Sequence, residues 1–249
     1  MSAALETRAI RKQFGALTVA DGIDFRLERG ARHALIGPNG AGKTTFINLL
    51  TGGLTPNSGE IFLNGENITH TSQRARIQRG LGRTFQINTL FRGLTALDNV
   101  ALAVAERRGE AWNPITRASR KREVVDESRA QLAALGLAED ENVRVSDLPY
   151  GKQRLVEIAI ALGMKPSVLL LDEPAAGVPS AESQRILDVL DSLPTELAIL
   201  IIEHDMELVF RFARQITVLS RGALLAEGTP AEIASDRRVR EVYLGERDV

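Results

Sequence analysis

The chain of 249 residues is 44% hydrophobic, 25% charged and 4% aromatic, a composition typical of a soluble globular protein that excludes the disordered and collagen-like classes. Its 31 basic and 32 acidic residues leave a net charge of -1, so no overall field draws it to nucleic acid or to anionic lipid. Cysteine is absent, which excludes disulfides and thiolate metal sites and fits a reducing compartment.

The length predicts one domain, near the size at which a single core divides into lobes. Residues 1–12 contain no apolar run of the kind that a signal peptide needs, which predicts that the chain is not exported. The longest apolar runs, residues 158–164 and 168–171, fall far short of the roughly 20 residues of a membrane span. Any role at a membrane is therefore expected to need partner subunits.

The first part of the chain predicts a strand, a loop and a helix. Short β-like runs at residues 23–27 and 32–37 lead into glycine-rich sequence, and a helix is expected to begin near Lys43. Turn residues around EIFLNG, within residues 55–68, predict an added β-hairpin.

The rest of the chain alternates between helical and strand patterns. Residues 94–163 show helical spacing without a clear strand, which predicts an inserted helical lobe. Buried-strand composition returns at residues 167–172 and 197–203 with a helical stretch between them, the rhythm of a mostly parallel sheet. Residues 216–228 predict a small hairpin. The mixed-charge segment 106–123 is interpreted as a solvated loop and helix face, with contact to lipid headgroups or a membrane partner as the alternative.

GPNGAGKT at residues 37–44 matches the phosphate-loop pattern G-x-x-x-x-G-K-[ST] in the required context, after a strand and before a helix. Backbone N–H groups would wrap the β-phosphate, Lys43 would reach the β and γ oxygens, and the hydroxyl of Thr44 would bind Mg²⁺. A glycine-rich turn without a ligand is the alternative. The predicted nucleotide-binding residues here are Gly37, Pro38, Asn39, Gly40, Ala41, Gly42, Lys43, Thr44 and Thr45.

VLLLDEP at residues 168–174 places two carboxylates at the carboxyl end of an apolar strand, where ligands of open α/β sheets bind. Asp172 is the candidate for a Mg²⁺ contact, and Glu173 for polarising the attacking water. Capping of the following helix is the alternative role for this pair.

Other candidate residues lie between and after these two motifs, in the order Gln86, DLPYGKQR, the carboxylate pair and His204. Gln86 and His204 each come after a strand-like run, and DLPYGKQR at residues 147–154 opens into an apolar helical run. Gly151 is expected to lie exposed at that helix start, where free N–H groups and the helix dipole favour an anion. His33 and His70 are interpreted as structural.

This order of motifs resembles the nucleotide-binding subunits of ATP-binding cassette (ABC) transporters, and the resemblance covers almost the whole chain. It implies the α/β fold of that family: a P-loop, RecA-like core with a mostly parallel sheet, an antiparallel β subdomain and an inserted α-helical subdomain. Residues 1–249 would form a single domain, with residues 1–86 and 164–249 in the core and residues 87–163 in the helical subdomain.

The resemblance also implies roles for single residues. Gln86 would bind Mg²⁺ and link the nucleotide to membrane subunits, Glu173 would act on water, and His204 would contact the γ-phosphate; together with Lys43 they would form the catalytic set. Phe14 would stack on adenine, with a buried hydrophobic role as its alternative. The family signature DLPYGKQR would bind nucleotide through Tyr150, Gly151 and Gln153.

In the family each triphosphate is held between two subunits, so Gly151 would meet the nucleotide of a facing copy or paralogue, and phosphate release would open the dimer. Two positions depart from the family pattern. Pro149 replaces the signature serine and supplies neither a hydroxyl nor an N–H group, and Pro179 stands where many members have aspartate. We therefore assign no phosphate contact to Pro149, and we do not expect at Pro179 the hydrogen bond across the dimer that the aspartate makes in the family.

Within the family, GRTFQ, LPYGKQR, IIEHDM and the ending VYLGE resemble the branched-chain amino acid uptake branch, which also includes uptake of urea, amides and aromatic acids. This implies the ATPase of an importer at the cytoplasmic face of the plasma membrane, with permease subunits, a solute-binding receptor and no nucleic acid. The alternatives are a cassette ATPase of DNA repair or translation and a P-loop kinase or GTPase. Against them stand a single phosphate loop, no sustained heptads and no N-K-x-D motif.

Overall fold

The structure is a computed structural model that describes residues 3–84, 90–110 and 118–244. It divides into two compact units. The first contains Met1–Leu81, Ser167–Glu173 and Pro194–Val249, and the second contains Gly82–Pro166 and Pro174–Leu193. No helix in the described ranges is both long and apolar enough to span a bilayer. The sequence-based division at residues 87 and 163 stays a prediction.

The described residues form ten strands and nine helices. The strands are β1 (Ala3–Phe14), β2 (Leu17–Glu28), β3 (Arg32–Ile36), β4 (Ser58–Leu63), β5 (Glu66–Asn67), β6 (Leu81–Arg83), β7 (Val168–Asp172), β8 (Ala198–Ile202), β9 (Gln215–Ser220) and β10 (Ala223–Gly228). The helices are α1 (Lys43–Thr51), α2 (Gln73–Gln78), α3 (Ala96–Arg107), α4 (Ala118–Ala134), α5 (Tyr150–Gly163), α6 (Ser180–Asp191), α7 (Met206–Phe212), α8 (Pro230–Ser235) and α9 (Arg237–Leu244).

A six-stranded sheet has the strand order β10-β9-β3-β8-β7-β6, and the strands from β10 to β7 in this order belong to the first unit. Strand β3 pairs in parallel with β8 and β9, and β7 pairs in parallel with β8, which confirms the predicted parallel sheet. All five residues of β3 and of β8 are buried, so both faces of these strands are covered by other parts of the chain. The predicted hairpin at residues 216–228 is confirmed as β9 and β10, which turn at Arg221 and Gly222 with positive φ.

A four-stranded antiparallel sheet in the order β2-β1-β4-β5 completes the strands of this unit. The predicted hairpin around EIFLNG is β4 and β5, joined at Asn64 (φ 52°) and Gly65 (φ 85°), the left-handed pair that tight hairpins favour. The pairing of β1 shifts register near Ala9 (φ 47°), whose N–H donates to Asp24 Oδ1 at 2.8 Å. This irregularity interrupts an otherwise continuous twelve-residue strand.

Helix α1 is held by its buried apolar face and by contacts at its carboxyl end. Its apolar side chains, including Phe46, Ile47 and Leu50, are fully buried in the core of the first unit. At its carboxyl end the buried guanidinium of Arg76, on α2, donates to the carbonyls of Leu49 and Leu50, both at 2.6 Å. Arg76 also donates to the carbonyl of Thr69 at 2.9 Å. One arginine therefore caps the carboxyl end of α1 and joins it to the segment that contains Thr69.

The second unit is helical, as predicted for residues 94–163. Helix α3 begins with a capping box, in which Thr95 and Asp98 satisfy each other's backbone N–H groups. Arg107 near its end donates to the carbonyl of Gly163 at 2.9 Å and to both oxygens of Glu127 at 2.7 Å, joining α3, α4 and α5.

The charged segment 106–123 lies partly outside the described residues. Where it is described, Arg108 pairs with Glu110 and Glu123, as expected of a solvated face.

His33 lies in the interior of the first unit, on β3, and is 2% exposed. Its Nε2 lies 2.8 Å from Thr217 Oγ1, which donates onward to Glu227 Oε2 at 3.1 Å. Because that hydroxyl hydrogen is directed to Glu227, the Nε2–H of His33 is the donor to Thr217. Burial lowers the pKa of His33 from 6.5 to about 4, since the charged ring would lose its hydration.

The low pKa of His33 predicts a pH-dependent stability. In the unfolded chain the pKa returns to roughly 6.5, so between about pH 6.5 and pH 4 the unfolded state binds more protons and stability falls as the pH falls. From about pH 7 to about pH 5 this residue should remove about 2 kcal/mol from the free energy of unfolding. Urea unfolding should show a smaller loss in His33→Gln than in the wild type.

The exposed His70 offers a matched control. His70→Gln should keep the wild-type pH dependence. An equal loss of stability in His33→Gln and wild type would show that His33 is not the titrating group.

Candidate functional site

The candidate site lies at the carboxyl edge of the parallel strands. Leu35 on β3 pairs with Ile202 on β8, and Ile202 pairs with Asp172 on β7, so the three strands end in register. Neighbouring strands lie roughly 4.8 Å apart. The segments that follow, beginning at Gly37, Glu203 and Glu173, therefore leave the sheet side by side.

The phosphate loop runs from the end of β3 into α1. Two of its glycines lie so close to other backbone segments that a Cβ atom would clash there. Gly42, the residue before α1, has φ 100°, and a Cβ there would lie 2.6 Å from the carbonyl oxygen of Val19. A Cβ on Gly37 would collide with the carbonyl oxygen of Leu219. Gly40 (φ 76°) has no atom within 4 Å of the Cβ position, so there the backbone faces open space.

Lys43 and Thr44 begin α1 at the mouth of the loop. The ammonium of Lys43 donates to the carbonyls of Gly37 at 2.5 Å and Pro38 at 2.9 Å, which holds it across the loop. Thr44 is exposed. The helix has no acidic residue in its first turn, so no side-chain anion there competes for its amino end.

The carboxylate pair and His204 meet at this edge. Glu173 has φ 48° and its N–H donates to the carbonyl of Ile202 at 2.9 Å, which turns its side chain off the end of the strand. Glu173 Oε1 lies 3.4 Å from Nδ1 of His204, and both side chains are substantially exposed. The structure thus brings together two residues that are 31 positions apart in the chain.

A third acid, Glu203, was missed by the sequence analysis. It is 2% exposed, and its Oε2 accepts from the N–H of His204 at 3.3 Å. The same oxygen lies 4.0 Å from Nδ1 of His204. An acidic residue directly after the apolar run LAILII was the available signal. Glu203 fixes the backbone that carries His204.

The donor atoms at this edge fit a magnesium ion. Mg²⁺ prefers oxygen ligands and uses one or two protein groups together with substrate phosphates. The carboxylate of Asp172, at the end of β7, and the hydroxyl of Thr44, in the first turn of α1, are groups of this kind. Helix α1 follows β3, which is separated from β7 only by β8. Gln86, the third predicted ligand, lies outside the described residues.

The signature turn differs from its prediction in one respect. Pro149 precedes α5 with φ -53° and makes no side-chain cap, as its chemistry requires. Gly151 was expected to be exposed, and this was wrong: it is buried, and the carboxylate of Glu182 occupies the place that a Cβ would take. A distant acid on α6 covers it, which local sequence does not reveal. The group that covers Gly151 is the carboxylate at the end of the exposed, flexible side chain of Glu182.

Two further signature residues, Gln153 and Tyr150, pack against other residues of the second unit. Gln153, predicted to bind nucleotide, is 6% exposed and donates to the carbonyl of Leu148 at 2.8 Å, so it stabilises the turn. The ring of Tyr150 is half-buried, against Gly177 and 5.3 Å from the guanidinium carbon of Arg154.

Arg154 is itself held by a buried ion pair. Its Nη1 donates to Glu157 Oε2 at 3.0 Å, and burial, partly offset by Arg154, raises the pKa of Glu157.

Phe14 and Pro179 occupy the remaining predicted positions. Phe14 ends β1 with 48% of its surface exposed, so the alternative buried role does not apply. The ammonium of Lys12 lies 5.3 Å from its ring centroid. Pro179 precedes α6 without a side-chain cap, like Pro149 before α5.

Two protein-family models match this chain, in two separate ranges of residues. Residues 20–176 match the family model described as ABC transporter, and residues 223–249 match that of the branched-chain amino acid ATP-binding cassette transporter. The chain is 38% identical over 252 residues to the high-affinity branched-chain amino acid transport ATP-binding protein BraF of Pseudomonas aeruginosa, covering 97% of this chain and 98% of that protein. It is 35% identical over 250 residues to LivG of Escherichia coli, covering 97% and 98%.

Solved structures show the same fold. The chain is similar to a crystal structure of an ATP-binding cassette of an ABC transporter in its ADP conformation, with a TM-score of 0.86, 29% identity and coverage of 98% of this chain and 100% of that one. A nucleotide-free ATP-binding cassette from an ABC transporter gives a TM-score of 0.84 at 29% identity, covering 97% and 99%.

The phosphate loop predicts unequal effects of two glycine substitutions. Gly42→Ala adds a clash with the Val19 carbonyl to the cost of a positive φ, and should lower the free energy of unfolding by about 3 kcal/mol or more. Gly40→Ala adds only the φ cost, about 1–2 kcal/mol. Urea unfolding of both variants measures the difference. Equal losses would mean that the space around Gly42 relaxes freely.

Proposed function

Because the chain belongs to the ABC transporter family and is an ATPase, we propose that it powers an importer for branched-chain amino acids or a related small solute. The observation that carries this proposal is the shared edge where the phosphate loop, Asp172, Glu173 and His204 meet. The cargo class rests on the match of residues 223–249 and on the relatives that carry branched-chain amino acid transport in their names.

The proposed binding of ATP follows from the loop geometry. Backbone amides of residues 39–43 wrap the β-phosphate, and Gly40 lets the backbone approach without a side chain between. The ammonium of Lys43 exchanges its loop carbonyls for phosphate oxygens, a stronger charge-assisted contact. The exposed ring of Phe14 offers a face for stacking on adenine.

The proposed hydrolysis divides the work among four side chains. Thr44 and Asp172 hold Mg²⁺, which when bound neutralises charge on the phosphates. Glu173 orients the attacking water and accepts its proton, and the products are ADP and phosphate. His204 steadies the γ-phosphate. The contact between His204 and Glu173 holds the imidazole and the carboxylate next to each other at the carboxyl edge of the sheet.

A second cassette, identical or paralogous, completes each site in this proposal. The amino end of α5 meets the γ-phosphate bound by the facing subunit, where N–H groups and the helix dipole favour an anion. Pro149 contributes no hydroxyl, so this contact depends on the backbone near Gly151. The carboxylate of Glu182 then swings away from Gly151, since it would repel phosphate.

Hydrolysis removes the anion that joins the two faces, and the pair opens. We place the chain at the cytoplasmic face of the plasma membrane, where integral permease subunits use this motion for transport and a solute-binding receptor supplies the cargo.

Replacing Glu173 tests the hydrolytic role. Glu173→Gln keeps the size and the backbone contact but loses the base, so ATP should still bind while steady-state hydrolysis falls at least about 100-fold. The measurement is phosphate release by the transporter reconstituted with its permeases. The control Glu196→Gln changes an exposed acid of the same unit and should keep full activity. Undiminished hydrolysis in Glu173→Gln would remove Glu173 from its proposed role.

The shared site predicts a nucleotide-dependent dimer. In sedimentation experiments the Glu173→Gln protein should be mainly monomeric alone and dimeric with MgATP, because blocked hydrolysis preserves the bridging γ-phosphate. Adding Lys43→Ala weakens phosphate binding and should restore the monomer. A Glu173→Gln protein that binds MgATP yet remains monomeric would argue against nucleotide sharing.

A further inference from the structure

A small cavity lies beside α5 in the second unit, between that helix and α6. Its volume is about 110 Å³, and its apolar wall includes Leu137, Leu155 and Ile186, all of which are almost fully buried. An apolar cavity of roughly 150 Å³ holds a benzene molecule. The smaller space here therefore suits an aliphatic group such as an isopropyl or isobutyl side chain.

Two opposite charges stand at the same cavity. Glu182 and Arg185, three positions apart on α6, both line it. Within the described part of the chain neither side chain has an ion pair or a hydrogen bond, although their spacing would permit a contact with each other. By contrast Lys152, also at the cavity, is paired with Asp140 at 2.8 Å. The cavity thus combines an apolar wall with one unpaired anion and one unpaired cation.

This combination selects a zwitterion with an aliphatic tail. A simple anion would leave Glu182 unpaired, and a simple cation would leave Arg185 unpaired. Side chains three positions apart on a helix have Cβ atoms about 5–6 Å apart, a span that an ammonium and a carboxylate on one carbon atom can bridge. A guanidinium also matches a carboxylate by two parallel hydrogen bonds.

We propose that this cavity binds a small aliphatic α-amino acid. The ammonium of the ligand pairs with Glu182, its carboxylate pairs with Arg185, and its side chain covers the apolar wall. The inference extends the proposed function, since the ligand is of the proposed cargo class. The cavity also touches Gly151, the residue proposed to meet the neighbouring nucleotide. Solute delivered by the importer would therefore bind to the subunit that powers its uptake.

Ligand-observed NMR on the full chain, with leucine as the probe, tests the site directly. Charged pairs at partly exposed positions contribute little, so we expect a saturable Kd on the order of 1 mM. Leucinamide lacks the carboxylate, isocaproate lacks the ammonium and alanine lacks the branched tail. Leucinamide and isocaproate should each bind about threefold more weakly than leucine, and alanine about tenfold more weakly or worse. Equal binding of leucine, leucinamide and isocaproate would overturn the proposal.

Two substitutions locate the binding in the chain. Glu182→Gln and Arg185→Gln each replace a charged group by a neutral amide, and each should weaken leucine binding about threefold. Arg92→Gln changes an exposed arginine of the same unit away from the cavity and should bind leucine like the wild type. Wild-type affinity in both cavity variants would overturn the proposal, as would no saturable binding up to about 50 mM leucine.

The two proposals fail in distinguishable ways. Normal MgATP hydrolysis by a wild-type protein that does not bind leucine would refute only the amino acid site. Leucine binding that depends on Glu182 and Arg185, in a protein whose hydrolysis survives Glu173→Gln, would refute only the hydrolytic assignment.

Discussion

The common ending of the parallel strands is the constraint on which the candidate site depends. Leu35, Ile202 and Asp172 are partners across three adjacent strands, so the chain leaves the sheet at the same level each time. A slip of one residue in β7 would turn Asp172 to the other face of the sheet. The fully buried strands β3 and β8 hold the register, because a slip would move their side chains out of the places in which they pack.

Backbone geometry does as much in this site as side-chain chemistry. The phosphate loop relies on glycines that pass close to other backbone segments, and Glu173 itself has a left-handed conformation beside the end of β8. A proline precedes both the signature helix α5, at Pro149, and the helix α6 after the carboxylate pair, at Pro179. Both helix starts therefore present N–H groups with no side-chain cap of their own.

The sequence predicted what is encoded locally. The apolar runs of β7 and β8, the glycines before Lys43 and the Asn64–Gly65 turn each carry their signal within a few residues, and the structure confirms these elements. Long-range contacts were not predictable in the same way. The cover over Gly151 comes from Glu182, thirty-one positions later, and depends on how α5 and α6 pack. The inward turn of Gln153 is likewise set by its helix neighbours rather than by the motif.

The buried guanidinium of Arg76 makes two helices of the first unit depend on each other. Helix α2 spans only Gln73–Gln78, too short to persist alone in water. Its arginine needs carbonyls at the end of α1 and at Thr69, contacts that cross up to 27 positions of sequence. Without these carbonyls the buried guanidinium of Arg76 would lose its hydration and have no hydrogen-bond partner in exchange, which is unfavourable in an apolar interior. Helix α2 is therefore stable only together with the carboxyl end of α1, so the helix that follows the phosphate loop and its support stabilise each other.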